Sequence, residues 1–145
     1  MNGWLLDTKV LSEVIKRRPE PKVVQFIAAQ PIDRLLISVV TFAEIRYGIE
    51  RVTDVIRRAQ LGDWLSNRIR PMFTGRALPI SEDVMLKWRL LLEQGRAAGH
   101  AFPQPDLIIA ATALLYGLTI VTRDSRDFAR AHAPVFNPWT DETPP

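Results

Sequence analysis

The chain has no cysteine, only two histidines, and no apolar run near the roughly 20 residues that a membrane-crossing helix needs. The first absence excludes disulfides, cysteine-based zinc sites and a thiol nucleophile, and it fits a reducing compartment. Its most apolar stretches, Leu35–Val40 and Leu107–Ala111, are too short to span a bilayer. Asp7, Lys9 and Glu13 break up the N-terminus where a signal peptide would need a continuous apolar segment, so a soluble, cytoplasmic protein is expected. There is no G-x-S-x-G elbow and no phosphate-binding P-loop, and Gly95-Arg96-Ala97-Ala98-Gly99 lacks the dinucleotide fingerprint.

What is present is ordinary for a globular protein: 145 residues, 47% hydrophobic and 24% charged. A chain of this length buries about 68–70% of its unfolded surface, enough for one self-sufficient core. One domain over residues 1–139 is expected, followed by a frayed, proline-rich tail at 140–145. The net charge is +3, and 15 of the 19 bases are arginine, which binds phosphate or carboxylate through a planar fork. Seven arginines fall between Arg46 and Arg76. They fit either a polyanion-binding surface or a solvated helix face.

Short apolar runs alternating with helical periods predict an α/β domain with a mainly parallel sheet. Strands are expected at Gly3–Leu6, Leu35–Val40, Ala77–Ile80 and Thr119–Thr122, with a last extended segment from Pro134. Helices are expected from Val10 to Lys16, over Lys22–Ala29, from Thr41, after the N-cap Ser81, and over Asp106–Tyr116 up to Gly117. Val52, Val55, Ile56 and Ala59 form an apolar stripe that Leu61, Leu65, Ile69 and Met72 continue with a phase slip near Gly62. This predicts a helical hairpin or bent helix whose stripe serves chiefly as core.

Four acids fall at the ends of these elements. Asp7 follows the first strand, Glu44 lies in the first turn after Leu35–Val40, Asp106 opens the apolar helix, and Asp124 follows Thr119–Thr122. In an open α/β sheet, ligands bind beyond the carboxyl ends of the strands, where these residues would converge. Each acid also has a structural reading: Thr41 and Glu44 match a capping box, Asp106 complements a helix dipole, and Asp124 suits a turn or N-cap. Asp7 has the weakest such reading, because an unpaired carboxylate ending a buried strand is costly. Two carboxylates 4 Å apart repel by roughly 4 kcal/mol at an effective dielectric of 20, and a divalent cation reverses that sign. Oxygen ligands without cysteine favour Mg²⁺ or Mn²⁺ over zinc, so the acids suggest a metal site for water attack on a phosphodiester.

Four segments carry a family resemblance. They are Leu5-Leu6-Asp7-Thr8-Lys9-Val10-Leu11-Ser12-Glu13, Ser38-Val39-Val40-Thr41-Phe42-Ala43-Glu44-Ile45-Arg46-Tyr47-Gly48, Pro105-Asp106-Leu107-Ile108-Ile109-Ala110-Ala111-Thr112-Ala113 and Thr122-Arg123-Asp124-Ser125-Arg126-Asp127-Phe128. In this order they resemble the PIN-domain toxins of the VapC and FitB type, and Asn137-Pro138-Trp139 resembles the closing strand of FitB-like members. The resemblance implies a PIN-like fold, a mainly parallel sheet sandwiched between helices. It implies a Mg²⁺- or Mn²⁺-dependent endoribonuclease, the toxin of a toxin–antitoxin pair, leaving 5′-phosphate and 3′-hydroxyl ends.

Carried over by position, Asp7, Glu44, Asp106 and Asp124 would form the metal-binding quartet. The first three would hold one ion, and Asp124 would hold a second or orient the water. Thr8 and Thr122 would assist, with Asp127 as an alternative to Asp124. The resemblance further implies an RNA substrate, a homodimer, and a cognate antitoxin with a DNA-binding segment. Lys9, Arg46 and Arg51 are candidate contacts to RNA or antitoxin, and the 52–65 stripe is a second candidate antitoxin surface. Lys9 departs from the small polar residue common at its position. An ammonium there either weakens metal binding or meets a substrate phosphate. Two alternatives follow: a catalytically impaired PIN module acting by antitoxin and DNA binding, and a receiver-type phosphoacceptor. The second is disfavoured because the first strand ends in a single acid and no late strand is followed by Lys-Pro.

Overall fold

Five short parallel strands make one sheet in the order β3-β2-β1-β4-β5 in the computed structural model, which describes residues 3–142. The strands are β1 (Trp4–Leu6), β2 (Leu35–Ser38), β3 (Ala77–Leu78), β4 (Thr119–Val121) and β5 (Val135–Phe136). Parallel neighbours need crossover connections, and helices supply them, as the alternating pattern predicts. The central strand β1 pairs Trp4 with Leu35 of β2 and aligns Leu5 and Leu6 with Ile120 and Val121 of β4.

Because side chains alternate along a strand, β1 feeds two cores. Leu5 packs in a cluster that holds Val84, Leu91, Leu107 and Ile109, and Leu6 in one that holds Val10, Val23, Phe42 and Ile69. Both leucines are fully buried, each stabilising the fold by about 1.5–3 kcal/mol through transfer from water. Apolar residues on consecutive positions of a three-residue strand are thus explained by helices on both faces.

The helix starts correct several sequence expectations. Helix α1 (Thr8–Val14) begins two residues early because Asp7 caps it, its side chain accepting from the Thr8 N–H. Helix α2 (Pro21–Ala29) has proline in its first turn, where the missing N–H costs nothing. β2 ends at Ser38 rather than Val40, since the Ser38 hydroxyl accepts from the Val40 N–H at 3.0 Å and starts helix α3 (Val39–Glu50). Thr41 is therefore not the cap. It is buried inside α3 with its hydroxyl unpartnered among the described residues, and Glu44 lies in the second turn, beyond any capping box. Ser38→Ala is expected to lower stability by about 1 kcal/mol, or roughly 3 °C in melting temperature at this size. An unchanged melting curve would remove the cap's assigned role.

Helix α4 (Val55–Trp64) runs through a π-helical turn at Leu65–Ile69 into α5 (Arg70–Met72), so the bent-helix alternative holds and the phase slip is a π turn just beyond Gly62. The slip changes which face is covered. Leu65 and Ile69 are buried, whereas α4 buries nothing and leaves Val55 and Ile56 67% and 71% exposed. The core assignment of that half of the stripe is overturned, since Val55 and Ile56 remain exposed among the described residues.

Helices α6 (Glu82–Ala97), capped by Ser81, and α7 (Gln104–Tyr116) follow the expected bounds closely. α7 stops at Gly117, whose φ of 66° is left-handed and suits glycine. Helix α8 (Ser125–Arg130) precedes β5. The Asn137-Pro138-Trp139 segment is a turn rather than a strand: the Asn137 side chain accepts from the Trp139 N–H at 2.9 Å and donates to the Arg123 carbonyl at 3.4 Å. Of the expected tail, residues 143–145 lie outside the described residues. Among the described residues, no helix is long and apolar enough to cross a membrane.

Candidate metal centre

β1 hands the chain to β2 on one flank, while β4 returns on the other. Sheets with this reversal leave a crevice beyond the carboxyl ends of the two strands. Asp7 leaves β1 there, and Thr122 and Asp124 follow β4. Asp106 comes from the first turn of α7.

Asp7 is held on three sides. Its N–H donates to Val121 across the sheet at 3.0 Å, one carboxylate oxygen accepts from the Thr8 N–H at 2.8 Å, and the other accepts from the Thr122 hydroxyl at 2.8 Å. With 6% exposure, burial pushes its pKa up, and the Asp124 carboxylate adds to that. The Thr122 and Thr8 hydrogen bonds and the Lys9 ammonium oppose it. The Thr122 oxygen also accepts from the Asp124 N–H at 3.0 Å, so one buried hydroxyl fixes the carboxylate of Asp7 and the backbone of Asp124 together.

Asp106 is half-buried, and its pKa is pushed up to about 6, first by lost hydration and then by the negative charges of Asp7, Asp124 and Asp127. Lys9 opposes the shift. The Lys9 ammonium donates to the Asp124 carboxylate at 2.5 Å, and that bond raises its own pKa. Asp124 occupies the N-cap position of α8 yet makes no side-chain cap bond, so its carboxylate is not a cap as the sequence allowed.

Asp7, Asp106, Asp124 and Lys9 are therefore linked electrostatically, Asp127 acts on Asp106, and Thr8 and Thr122 are hydrogen-bonding supports. Glu44 stands apart: it is exposed on α3 and is not among the charges acting on Asp7 or Asp106. Arg46 and Arg51 are exposed on and just after α3, with Arg51 stacked over Tyr47 at 5.7 Å from the ring centre. Sequence reading missed the brace behind Asp124, in which Asn137 bonds the Arg123 carbonyl and the Arg123 guanidinium lies 5.3 Å from the Trp139 ring centre. The Asn-Pro pair was the available signal, since asparagine before proline favours a turn.

The donor set suits a hard divalent cation. It is oxygen only, and neighbouring carboxylates raise the pKa of Asp7 and of Asp106. Among the described residues, no three acidic or histidine side chains stand close enough together to hold a metal ion as they are placed. The ammonium of Lys9 supplies the positive charge in this arrangement.

The fold is a parallel α/β sheet with Asp7 and Asp124 at the carboxyl ends of its adjacent strands β1 and β4. The chain belongs to the PIN domain family, whose model matches residues 4–133. It is 35% identical over 135 residues to "VapC ribonuclease Y4jK" of Sinorhizobium fredii, covering 93% of this chain and 96% of that protein. It is 34% identical over 137 residues to "Toxin FitB" of Neisseria gonorrhoeae, covering 94% and 99%. Among solved structures it is similar to that of FitAcB from Neisseria gonorrhoeae, with a TM-score of 0.90, 34% identity, and coverage of 94% of this chain and 99% of that one. FitAB bound to the IR36 DNA fragment also matches at a TM-score of 0.90 with 32% identity, covering 97% and 98%.

Proposed function

We propose that this protein is the toxin of a toxin–antitoxin pair, a Mg²⁺- or Mn²⁺-dependent endoribonuclease acting in the cytoplasm. The observation that carries this reading is the meeting of Asp7, Asp106 and Asp124 at the switch point of a chain whose ribonuclease and toxin relatives match it over nearly its full length. Asp7 and Asp106 would hold the ion, with Asp124 beside them. Glu44 would join only if its side chain swung toward the crevice from α3. When bound, the ion offsets the charge of the scissile phosphate and makes a neighbouring water more acidic. The Thr122 hydrogen bond favours the ionised form of Asp7 against the effect of burial and fixes the direction of its carboxylate. Cognate antitoxin, with its DNA-binding segment, and a second copy of the chain are the proposed protein partners. The uncovered Val55 and Ile56 of α4 support a protein contact on that face, with Arg46 and Arg51 on the neighbouring helix.

The test is incubation of purified, antitoxin-free protein with a mixed single-stranded RNA in Mg²⁺, Mn²⁺ or EDTA. Cleavage to 5′-phosphate ends is expected with either ion, with loss in EDTA and recovery on adding excess Mn²⁺. Equal cleavage in EDTA would remove the metal from the mechanism. The second reading, a catalytically impaired PIN module, draws on the Lys9–Asp124 ion pair within the acid group. Retained antitoxin binding without cleavage under any metal condition would favour it.

A further inference from the structure

We propose that Lys9 is a resident cation that competes with the divalent ion for Asp124, so that an ion entering the crevice must displace the ammonium. This rests on the metal-dependent reading above. Three observations carry it. The Lys9 nitrogen lies 2.5 Å from a carboxylate oxygen of Asp124, and the two residues come from the starts of different helices, 115 positions apart. Asp124, although placed to cap α8, gives its own helix no side-chain bond, so its carboxylate is committed to Lys9. The ammonium also interacts with Asp7 and Asp106, so its influence covers the whole acid group rather than one partner.

Close-range electrostatics point the same way. An ion added beside a retained ammonium would meet its repulsion at close range. Lysine suits a displaceable cation because it is a compact charge on a flexible stem. The Lys9 side chain is 55% exposed and that of Asp124 42%, so the ammonium can turn into solvent without opening a cavity.

Metal-stripped wild type, Lys9→Met, Lys9→Gln, Lys9→Arg and Asp106→Asn are titrated with Mn²⁺, the free ion being followed by electron paramagnetic resonance. Lys9→Met and Lys9→Gln are expected to bind Mn²⁺ about tenfold more tightly than wild type, because the competing charge is gone. Lys9→Arg, which keeps it, is expected to stay within about threefold of wild type on the same ground. Melting curves give a second readout: metal-free Lys9→Met should melt below wild type, and Mn²⁺ should raise its melting temperature more. Equal or weaker Mn²⁺ binding by both neutral variants, with binding still lost in Asp106→Asn, overturns the competition and leaves the metal centre standing. Failure of every protein to bind Mn²⁺ overturns both.

Discussion

Asp106→Asn is expected to lower RNA cleavage by at least about a hundredfold, while raising the melting temperature of the metal-free protein by roughly 3 °C at pH 8. The two effects share one cause. Removing the hydrogen-bonding partner of a metal ligand typically costs 10–100-fold in metal affinity or activity, so losing a ligand's charge should cost at least the upper end. Without the ion, however, the Asp106 carboxylate is a burden, held among Asp7, Asp124 and Asp127 with its pKa raised to about 6. A carboxyl whose folded pKa lies above its ordinary value of 3.8 binds protons more tightly in the folded state. The contribution of Asp106 to the stability of the metal-free wild type therefore falls as pH rises from about 4 to about 6, and it stays low above that.

Asparagine carries no such charge, so its advantage is full above about pH 6 and gone by about pH 4. For a half-buried group, solvent screening holds the gain to about 1 kcal/mol. Asp7→Asn should lose cleavage to the same degree, since it removes an anionic ligand with little change of shape. Cleavage by Asp106→Asn at the wild-type rate would take Asp106 out of the metal centre. A melting temperature unchanged at pH 8 would show that the other charges in the crevice already relieve the repulsion.

Thr122→Val should act through geometry rather than charge. The side chains are nearly the same size, and Thr122 is fully buried, so packing is preserved. What is lost is a donor to Asp7 and an acceptor for the Asp124 N–H. Leaving buried polar groups unpaired costs about 1–3 kcal/mol, which corresponds to a melting temperature lower by roughly 5 °C. Cleavage should fall by about 10–100-fold, since a support of the ligands is gone rather than a ligand itself. Asp7 also loses the hydrogen bond that most favours its ionised form, so its pKa moves further up and activity should require higher pH. Thr122→Ser keeps the hydroxyl and should restore most of both losses. A merely structural role for Thr122 would lower stability without moving the pH profile.

The places of Asp7, Asp106 and Asp124 at element ends were legible in the sequence because each follows or opens an apolar segment. What periodicity could not fix is which residue caps and what covers a face. Leu35–Val40 reads as one apolar run, yet Ser38 divides it into a strand and a helix start. A buried helical turn and a buried strand have the same composition over so few residues. The change moves Glu44 from the first turn of α3 to the second, and with it the case for a capping box disappears. The α4 stripe shows the converse limit. Val55 and Ile56 have core spacing but no core, since a helical period defines a face and not its partner. The ion pair of Lys9 with Asp124 joins residues 115 positions apart and had no local signal. Only the presence of a lysine beside Asp7 hinted at it.

The strand order also governs when the acid group can come together as the chain is made. β1 is the first strand synthesised and lies at the centre of the sheet, but its β4 flank is filled only by residues 119–121. Until then Asp7 lacks the Thr122 hydroxyl, and neither Asp106 nor Asp124 has a place beside it. At about 5–20 residues per second, that leaves several seconds of translation during which the nascent chain carries its first acid but no assembled centre. A chain that stalls before β4 cannot bring Asp124 and Thr122 to Asp7, and completion of the sheet joins them.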